Sequence, residues 1–168
     1  GAHKSPEFLA MNPNGQVPVL QDGDVTVSDS NAILVYLART YAPDWMPSTP
    51  IDEANVQRWL TLAAGEVAFG SCAARLITVF GAPLDVDFAD ATATKAMQKL
   101  EHGLEGRDWL VGDRPTIADV ANYSYTAHAP EGNVSLDPYP NVRAWLARFE
   151  ALPGFQAMPA TAVGLAAE

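Results

Sequence analysis

Asn12-Pro13-Asn14-Gly15-Gln16-Val17-Pro18-Val19-Leu20 is the stretch on which the fold turns. Asn-Pro and Asn-Gly both signal turns, and the apolar run that follows reads as a strand with a proline inside it. A proline in a ladder loses a donor, so Pro18 marks an edge strand or a special turn. Gln21-Asp22-Gly23-Asp24 reads as a turn and Val25-Thr26-Val27 as a second strand, which makes a hairpin. Ser28-Asp29-Ser30-Asn31 then supplies residue types that cap helices, ahead of a helical run from Ala32 to Arg39 that ends near Tyr41-Ala42-Pro43. Upstream, residues 1–14 are polar and turn-rich around a short Glu7-Phe8-Leu9-Ala10 piece.

Downstream, Pro43, Pro47 and Pro50 fall within eight residues, with Trp45 and Met46 between them. We read 43–50 as a stiff linker between a first domain, 1–42, and a second, 51–168. Everything beyond it has helical periodicity. Val56, Trp59, Leu60, Ala63, Val67, Ala74 and Ile77 recur at helical spacing over residues 51–79. Further helices are expected over 88–103, 116–129 and 139–152. Thr116-Ile117-Ala118-Asp119 is a capping box: the Thr side chain caps the helix, and the acid three residues on reaches back. Pro115 stands where a flexible apolar partner for Val120 would complete a staple, so the role of Thr116 and Asp119 is structural.

The 168 residues are 48% hydrophobic, with charged residues at 18% and aromatics at 9%, which is a globular composition. Ten basic against twenty acidic residues give a net charge of −10, opposite to that of a protein that tracks phosphates. Cys72 is the single cysteine, so no internal disulfide and no paired-cysteine metal or redox motif exists. Apolar stretches are broken before the roughly 18 residues that a membrane span needs. His102 and His128 lack ligand-spaced partners, and Asp85, Asp87 and Asp90 lack a calcium-loop pattern, so no metal is expected.

Four strings stand in one order: His3-Lys4-Ser5-Pro6-Glu7-Phe8, the 12–20 stretch, Asp29-Ser30-Asn31-Ala32-Ile33, and Thr116-Ile117-Ala118-Asp119. Together they resemble the glutathione S-transferases over essentially the whole chain, and the first two are most similar to bacterial theta- or phi-like members. The resemblance implies an α/β thioredoxin-like N-terminal domain, incomplete here as a hairpin plus helix, followed by an all-α bundle. It implies glutathione as co-substrate, conjugated through its thiolate to a hydrophobic electrophile in a cytoplasmic, detoxifying homodimer without nucleic-acid or membrane partners. It also implies a cis bond at Pro18, which turns the Val17 backbone outward for the cysteinyl part of glutathione. Ser30 would hold the γ-glutamyl carboxylate at a helix N-terminus, and Asp29 would neighbour the γ-glutamyl amino group. His3, Lys4 and Gln16 would reach the glycine carboxylate. Phe69, Cys72, Ala73 and Leu76 would line the pocket for the electrophile.

Each assignment has a plainer counterpart: an ordinary edge proline, simple capping by Asp29 or Ser30, solvated surface cations, and helix core for 69–76. Cys72 lies among alanines without a neighbouring base, which reads as a buried, inert thiol. The resemblance places the leading strand, helix and strand, and with them the Tyr, Ser or Cys that activates the thiol, N-terminal to Gly1. The 168 residues are then expected to be inactive alone. A glutathione-dependent reductase or peroxidase on the same fold, and a non-catalytic assembly module, are the competing readings. Retention of Gln16, Val17-Pro18 and Asp29-Ser30 speaks against the module.

Overall fold

The computed structural model describes residues 1–167, which divide between Met46 and Pro47 into two compact units. The division falls within the proline-rich stretch. Each unit is described here by itself.

Unit 1 opens with a turn of 3-10 helix, Ala2–Lys4, and a short helix α1, Pro6–Met11. The sequence expectation of an irregular start missed α1. Its signals are local: Ser5 accepts the Phe8 N–H at 3.3 Å as N-cap, and Pro6 occupies the first helical position. Strands β1, Val19–Asp22, and β2, Val25–Ser28, pair antiparallel with Val19 opposite Ser28 and Asp22 opposite Val25. The turn is therefore the two residues Gly23 and Asp24, shorter than expected, and Gly23 has φ +57° as such a turn requires. Pro18 precedes the strand instead of interrupting it. Helix α2, Ser30–Tyr41, is tied back to the hairpin by Tyr36 and Tyr41, whose hydroxyls both donate to Asp22 Oδ2, the Tyr36 bond at 2.8 Å. These bonds hold the Asp22 carboxyl below its usual range and push the Tyr41 hydroxyl up to about 12.

Unit 2 is helical. α3, Pro50–Leu62, is capped by Thr49 and has Pro50 at its first position. It continues without a break as a π-helical segment, Ala63–Cys72, and then as α4, Ala73–Phe80. Simple α-helical spacing does not show this change of winding. Its trace in the sequence is the five-residue step between buried Leu62 and buried Val67, which the i→i+5 bonding of a π-helix accommodates. α5 is Val86–Gly103, α6 is Ile117–Ala127 and α7 is Pro140–Glu150. α5 presents Ala89, Ala93 and Ala96, all buried, to the π segment. Contact there is so close that a Cβ at Gly70 would stand 2.5 Å from the Ala93 nitrogen. A Cβ at Gly103 would strike the Trp59 ring at 2.4 Å.

The continuous helix 50–80 is long enough for a membrane span and holds an 18-residue window of mean hydropathy 1.4, although Glu66 and Arg75 interrupt its apolar stretches. Length and composition are all that qualify it. Part of its surface packs on α5 and α6 in the manner of a bundle's core helix.

Asp119 joins three segments of this bundle: α6, the 104–116 loop and α7. It is fully buried. Its Oδ1 accepts the Leu110 N–H at 3.0 Å and the Trp145 indole N–H at 2.9 Å; its Oδ2 accepts the Thr116 N–H at 2.8 Å. Burial pushes the carboxyl above the usual Asp range, and these donors recover part of the shift. The capping box expected at Thr116 is present, with α7 and the 104–116 loop added to its reach. α7 has no side-chain cap of its own. Glu101 of α5 replaces it, accepting the Asn141 and Val142 N–H groups at 3.1 and 3.0 Å.

A second buried carboxylate secures the C-terminal segment. Glu131 accepts Arg75 Nε at 2.7 Å and the Thr161 N–H at 3.0 Å, and His128 Nδ1 lies at 2.6 Å. Burial acts to raise its pKa, but these partners outweigh it and hold the group at about 2.

Two tests follow from the carboxylates. Asp119→Ala strands three buried N–H donors, at about 1–3 kcal/mol each. Its loss in urea unfolding should exceed about 3 kcal/mol and be larger than that of Thr116→Ala, at about 0.5–2 kcal/mol for a lost cap; the reverse order would reduce Asp119 to a cap. Glu131 is held below its free value of 4.5, so its contribution is complete above that pH and drains away as pH falls toward about 2. Glu131→Gln should flatten that part of the stability–pH curve, and an unchanged slope would refute the assignment.

Candidate functional site

A cavity of about 660 Å³ lies in unit 1, lined by His3, Lys4, Asn12, Asn14, Gly15, Gln16, Val17, Pro18, Ser28, Asp29 and Ser30. All seven residues singled out in the sequence for glutathione are among them. Three short pieces of chain bring them together: the 3-10 turn, the loop ahead of β1, and the start of α2.

The loop is shaped by Asn12, which the sequence reading passed over. It is buried; its Nδ2 donates to the Gln16 carbonyl at 2.7 Å, and its Oδ1 accepts the Asn14 N–H at 3.2 Å. An Asn ahead of a Pro-Asn-Gly turn is the residue type that makes such side-chain-to-backbone bonds. Gly15, at φ +58°, lets the loop fold onto the 3-10 turn. Lys4 Nζ donates to the Gly15 carbonyl at 3.0 Å, which fixes a cation at the cavity wall. The Val17–Pro18 peptide bond is cis, and Val17 is 72% exposed.

At the other wall, Asp29 is the N-cap of α2, accepting the Ala32 N–H at 3.0 Å. Its backbone stands at φ 80°, ψ 130°, a conformation rarely taken by residues other than glycine. Such strain costs about 1–3 kcal/mol and gathers at functional sites. The helix N-terminus and Ser30 suit an anion, and the Asp29 carboxylate suits a cation. Lys4 supplies a cation that suits a second anion. The arrangement fits an extended zwitterion with carboxylates at both ends and an amino group near one of them.

In unit 2, Phe69 (63% exposed) and Leu76 (37%) lie on the surface of the π segment and α4, with Cys72 partly buried between them in sequence. Ala73 does not share that surface: it is buried with Ala74 and Ala89 in a small core cluster. The resemblance grouped it with Phe69, Cys72 and Leu76; in the structure its side chain packs into this cluster. Two neighbours were missed. Tyr125 of α6 pairs with the Cys72 thiol, and Arg75 acts on both. Burial raises the Cys72 pKa, with Tyr125 and Arg75 opposing. Among the described residues, no group of three or more His, Cys, Asp or Glu side chains is placed to hold a metal.

Comparison with known proteins shows the family. The glutathione S-transferase N-terminal domain family matches residues 1–39, and the C-terminal domain family matches 84–153. A probable glutathione S-transferase of Oryza sativa is 35% identical over 93% of this chain and 78% of its own. Among solved structures, a glutathione S-transferase from Xanthobacter autotrophicus superposes with a TM-score of 0.84 at 34% identity, covering 94% of this chain and 78% of the other. A theta-class enzyme of Xanthomonas axonopodis with glutathione bound gives 0.77 at 31% identity, over 91% and 76%. The chain belongs to the glutathione S-transferase family. Its architecture is that family's thioredoxin-like N-terminal domain, here a two-stranded sheet with helices, followed by an all-α domain.

Gly15→Ala tests the construction of the cavity. A Cβ there would meet Lys4 Nζ at 2.8 Å and the His3 carbonyl at 3.0 Å. A left-handed backbone adds about 1–2 kcal/mol for a non-glycine residue. The variant should destabilise unit 1 and shift the Lys4 side-chain resonances in NMR spectra; an unperturbed Lys4 would mean that the loop closes without Gly15.

Proposed function

We propose that the unit 1 cavity binds glutathione and that the protein transfers its thiolate to a hydrophobic electrophile. The observation that carries this reading is the convergence of Lys4, Gln16, the exposed Val17 backbone, Asp29 and Ser30 on one cavity. Glutathione has the matching order of groups. Its γ-glutamyl carboxylate suits the α2 N-terminus and Ser30, its amino group suits Asp29, and its glycine carboxylate suits Lys4, Gln16 and His3 through charge-assisted hydrogen bonds. Its middle residue, as an added strand, suits the Val17 backbone.

In the reaction, the glutathione sulfur attacks an electrophilic carbon as the thiolate. The new C–S bond forms as the leaving group departs with its electron pair, and the thiol proton goes to solvent. Phe69 and Leu76 offer apolar surface for the electrophile, with Cys72 and Tyr125 as polar edges. A two-fold homodimer in the cytoplasm completes the proposal, two-fold pairing being the commonest oligomeric form.

Isothermal titration of the full chain with glutathione tests the binding half. Gln16→Ala and Ser30→Ala should each weaken binding about tenfold, the equivalent of one hydrogen bond to a charged group. Absence of binding by the parent chain would favour the non-catalytic module. For the second half, the protein should turn over an aryl halide with glutathione, and Phe69→Ala should slow it while sparing glutathione affinity.

A further inference from the structure

A second polar cavity, of about 270 Å³, lies wholly within the helical unit, and the glutathione reading does not use it. Asp52, Asn55 and Arg58 of α3 line one side; they are three residues apart in turn, so they share a face of the helix. His102, in the last turn of α5, and Arg107, just beyond its end, line the other, and the 110–112 loop closes the cavity between them.

The charge balance here is unusual for this chain. Ten Lys and Arg stand against twenty Asp and Glu, so a cation without an acid beside it is the exception. Neighbouring cations are matched: Lys99 pairs with Glu66, and Arg148 with Asp108 at 2.9 Å. Arg58 and Arg107 have no carboxylate partner among the described contacts, yet both line this one cavity. Asp52, the single acid in the lining, takes a hydrogen bond from the Thr49 hydroxyl at 2.6 Å. Two guanidinium groups bordering one small space repel each other, and an anion between them removes that cost.

The walls are held in advance. The Arg58 guanidinium lies 4.6 Å from the centre of the Trp59 ring. The Trp59 indole donates to the Leu110 carbonyl at 3.1 Å, and the Leu110 N–H donates to Asp119 at 3.0 Å. Arg58 and the loop are thus fixed to the same buried frame, and a ligand would not have to order them.

We propose that this cavity binds a small phosphorylated polyol, with its phosphoryl group between Arg58, Arg107 and His102 and its hydroxyls toward Asp52 and Asn55. A phosphate monoester carries close to two negative charges near neutral pH and three acceptor oxygens. Guanidinium forks match those oxygens, and the His102 ring adds a further N–H. A single carboxylate has one charge and two oxygens, fewer than these donors can use. Asp52 would repel a second anionic group but accepts from a hydroxyl, and Asn55 both donates and accepts. The volume falls below the roughly 300–1,000 Å³ of pockets for drug-sized ligands, which limits the body of the ligand to a few carbons.

NMR titration of the full chain with glycerol 3-phosphate is the test, with glycerol and succinate as comparisons. Glycerol 3-phosphate should shift the Val111 and Gly112 amides and the Arg58 and Arg107 side-chain N–H resonances, and glycerol should shift none of them. Arg58→Gln and Arg107→Gln should each weaken binding about tenfold, the equivalent of one hydrogen bond to a charged group. Arg107 is exposed, so its variant gives the reading even if loss of the Trp59 stack prevents Arg58→Gln from folding. Silence at Val111 and Gly112 overturns the proposal, as do shifts confined to residues 15–30, which would put the anion in the unit 1 cavity. Succinate binding as tightly as glycerol 3-phosphate would overturn the choice of a phosphoryl group.

Discussion

A single carboxylate, that of Asp119, sets the arrangement of the helical unit. The sequence presents it as the third residue of a capping box, a local device for starting a helix. In the fold it is also the only acceptor for the Leu110 N–H and the Trp145 indole among the described contacts, so one side chain fixes the start of α6, the loop before it and the body of α7. Burying a carboxylate is unfavourable unless its oxygens are paired, and here both are. The loop and the indole are therefore not decoration on a cap: without them the carboxylate could not occupy the core.

Around that anchor the bundle gains closeness by omitting side chains. Gly70 against Ala93 and Gly103 against the Trp59 ring are backbone-level contacts, and the alanines of α5 continue the same seam. Where small residues leave no room for a large apolar core, hydrogen bonds take over the joining of helices. Asn122 holds the Trp59 carbonyl, Glu101 caps α7, and Glu131 gathers Arg75 and the C-terminal segment.

Much of this was legible in sequence wherever the signal is local. Asn-Gly ahead of an apolar run, capping residues ahead of Ala32, and Thr116 followed by Asp119 report on neighbours within four residues, and the elements appear where those signals stand. The cavity residues were legible for the same reason: three short segments, each with a recognisable string, supply all of them. Asn12 is an exception: its partner is a main-chain carbonyl only four residues on, but no apolar pattern marks its role in shaping the loop. What else escaped depends on partners distant in sequence or on a change of period. Tyr125 meets Cys72 only because α6 crosses the π segment. The π winding was not legible either, since nothing local in 63–72 marks the change of turn until burial is known. Glu131 reads as one more surface acid until Arg75, 56 positions away, and Thr161 are seen around it.

The cavity is built on the part of the chain with the least interior. In residues 1–46 only Asn12, Gly15 and Ala38 are buried, whereas unit 2 buries most of the large apolar side chains. Segments with few buried contacts open at low free-energy cost, by local excursions that leave the rest of a protein folded. A ligand that binds only the closed form shifts that balance by mass action, adding about 2.7 kcal/mol at a hundredfold excess over Kd. Occupancy and order thus become one variable: the supply of ligand sets how long the Lys4–Gly15 loop and the α2 start remain assembled, and with it how readily backbone amides exchange or a protease finds a cut.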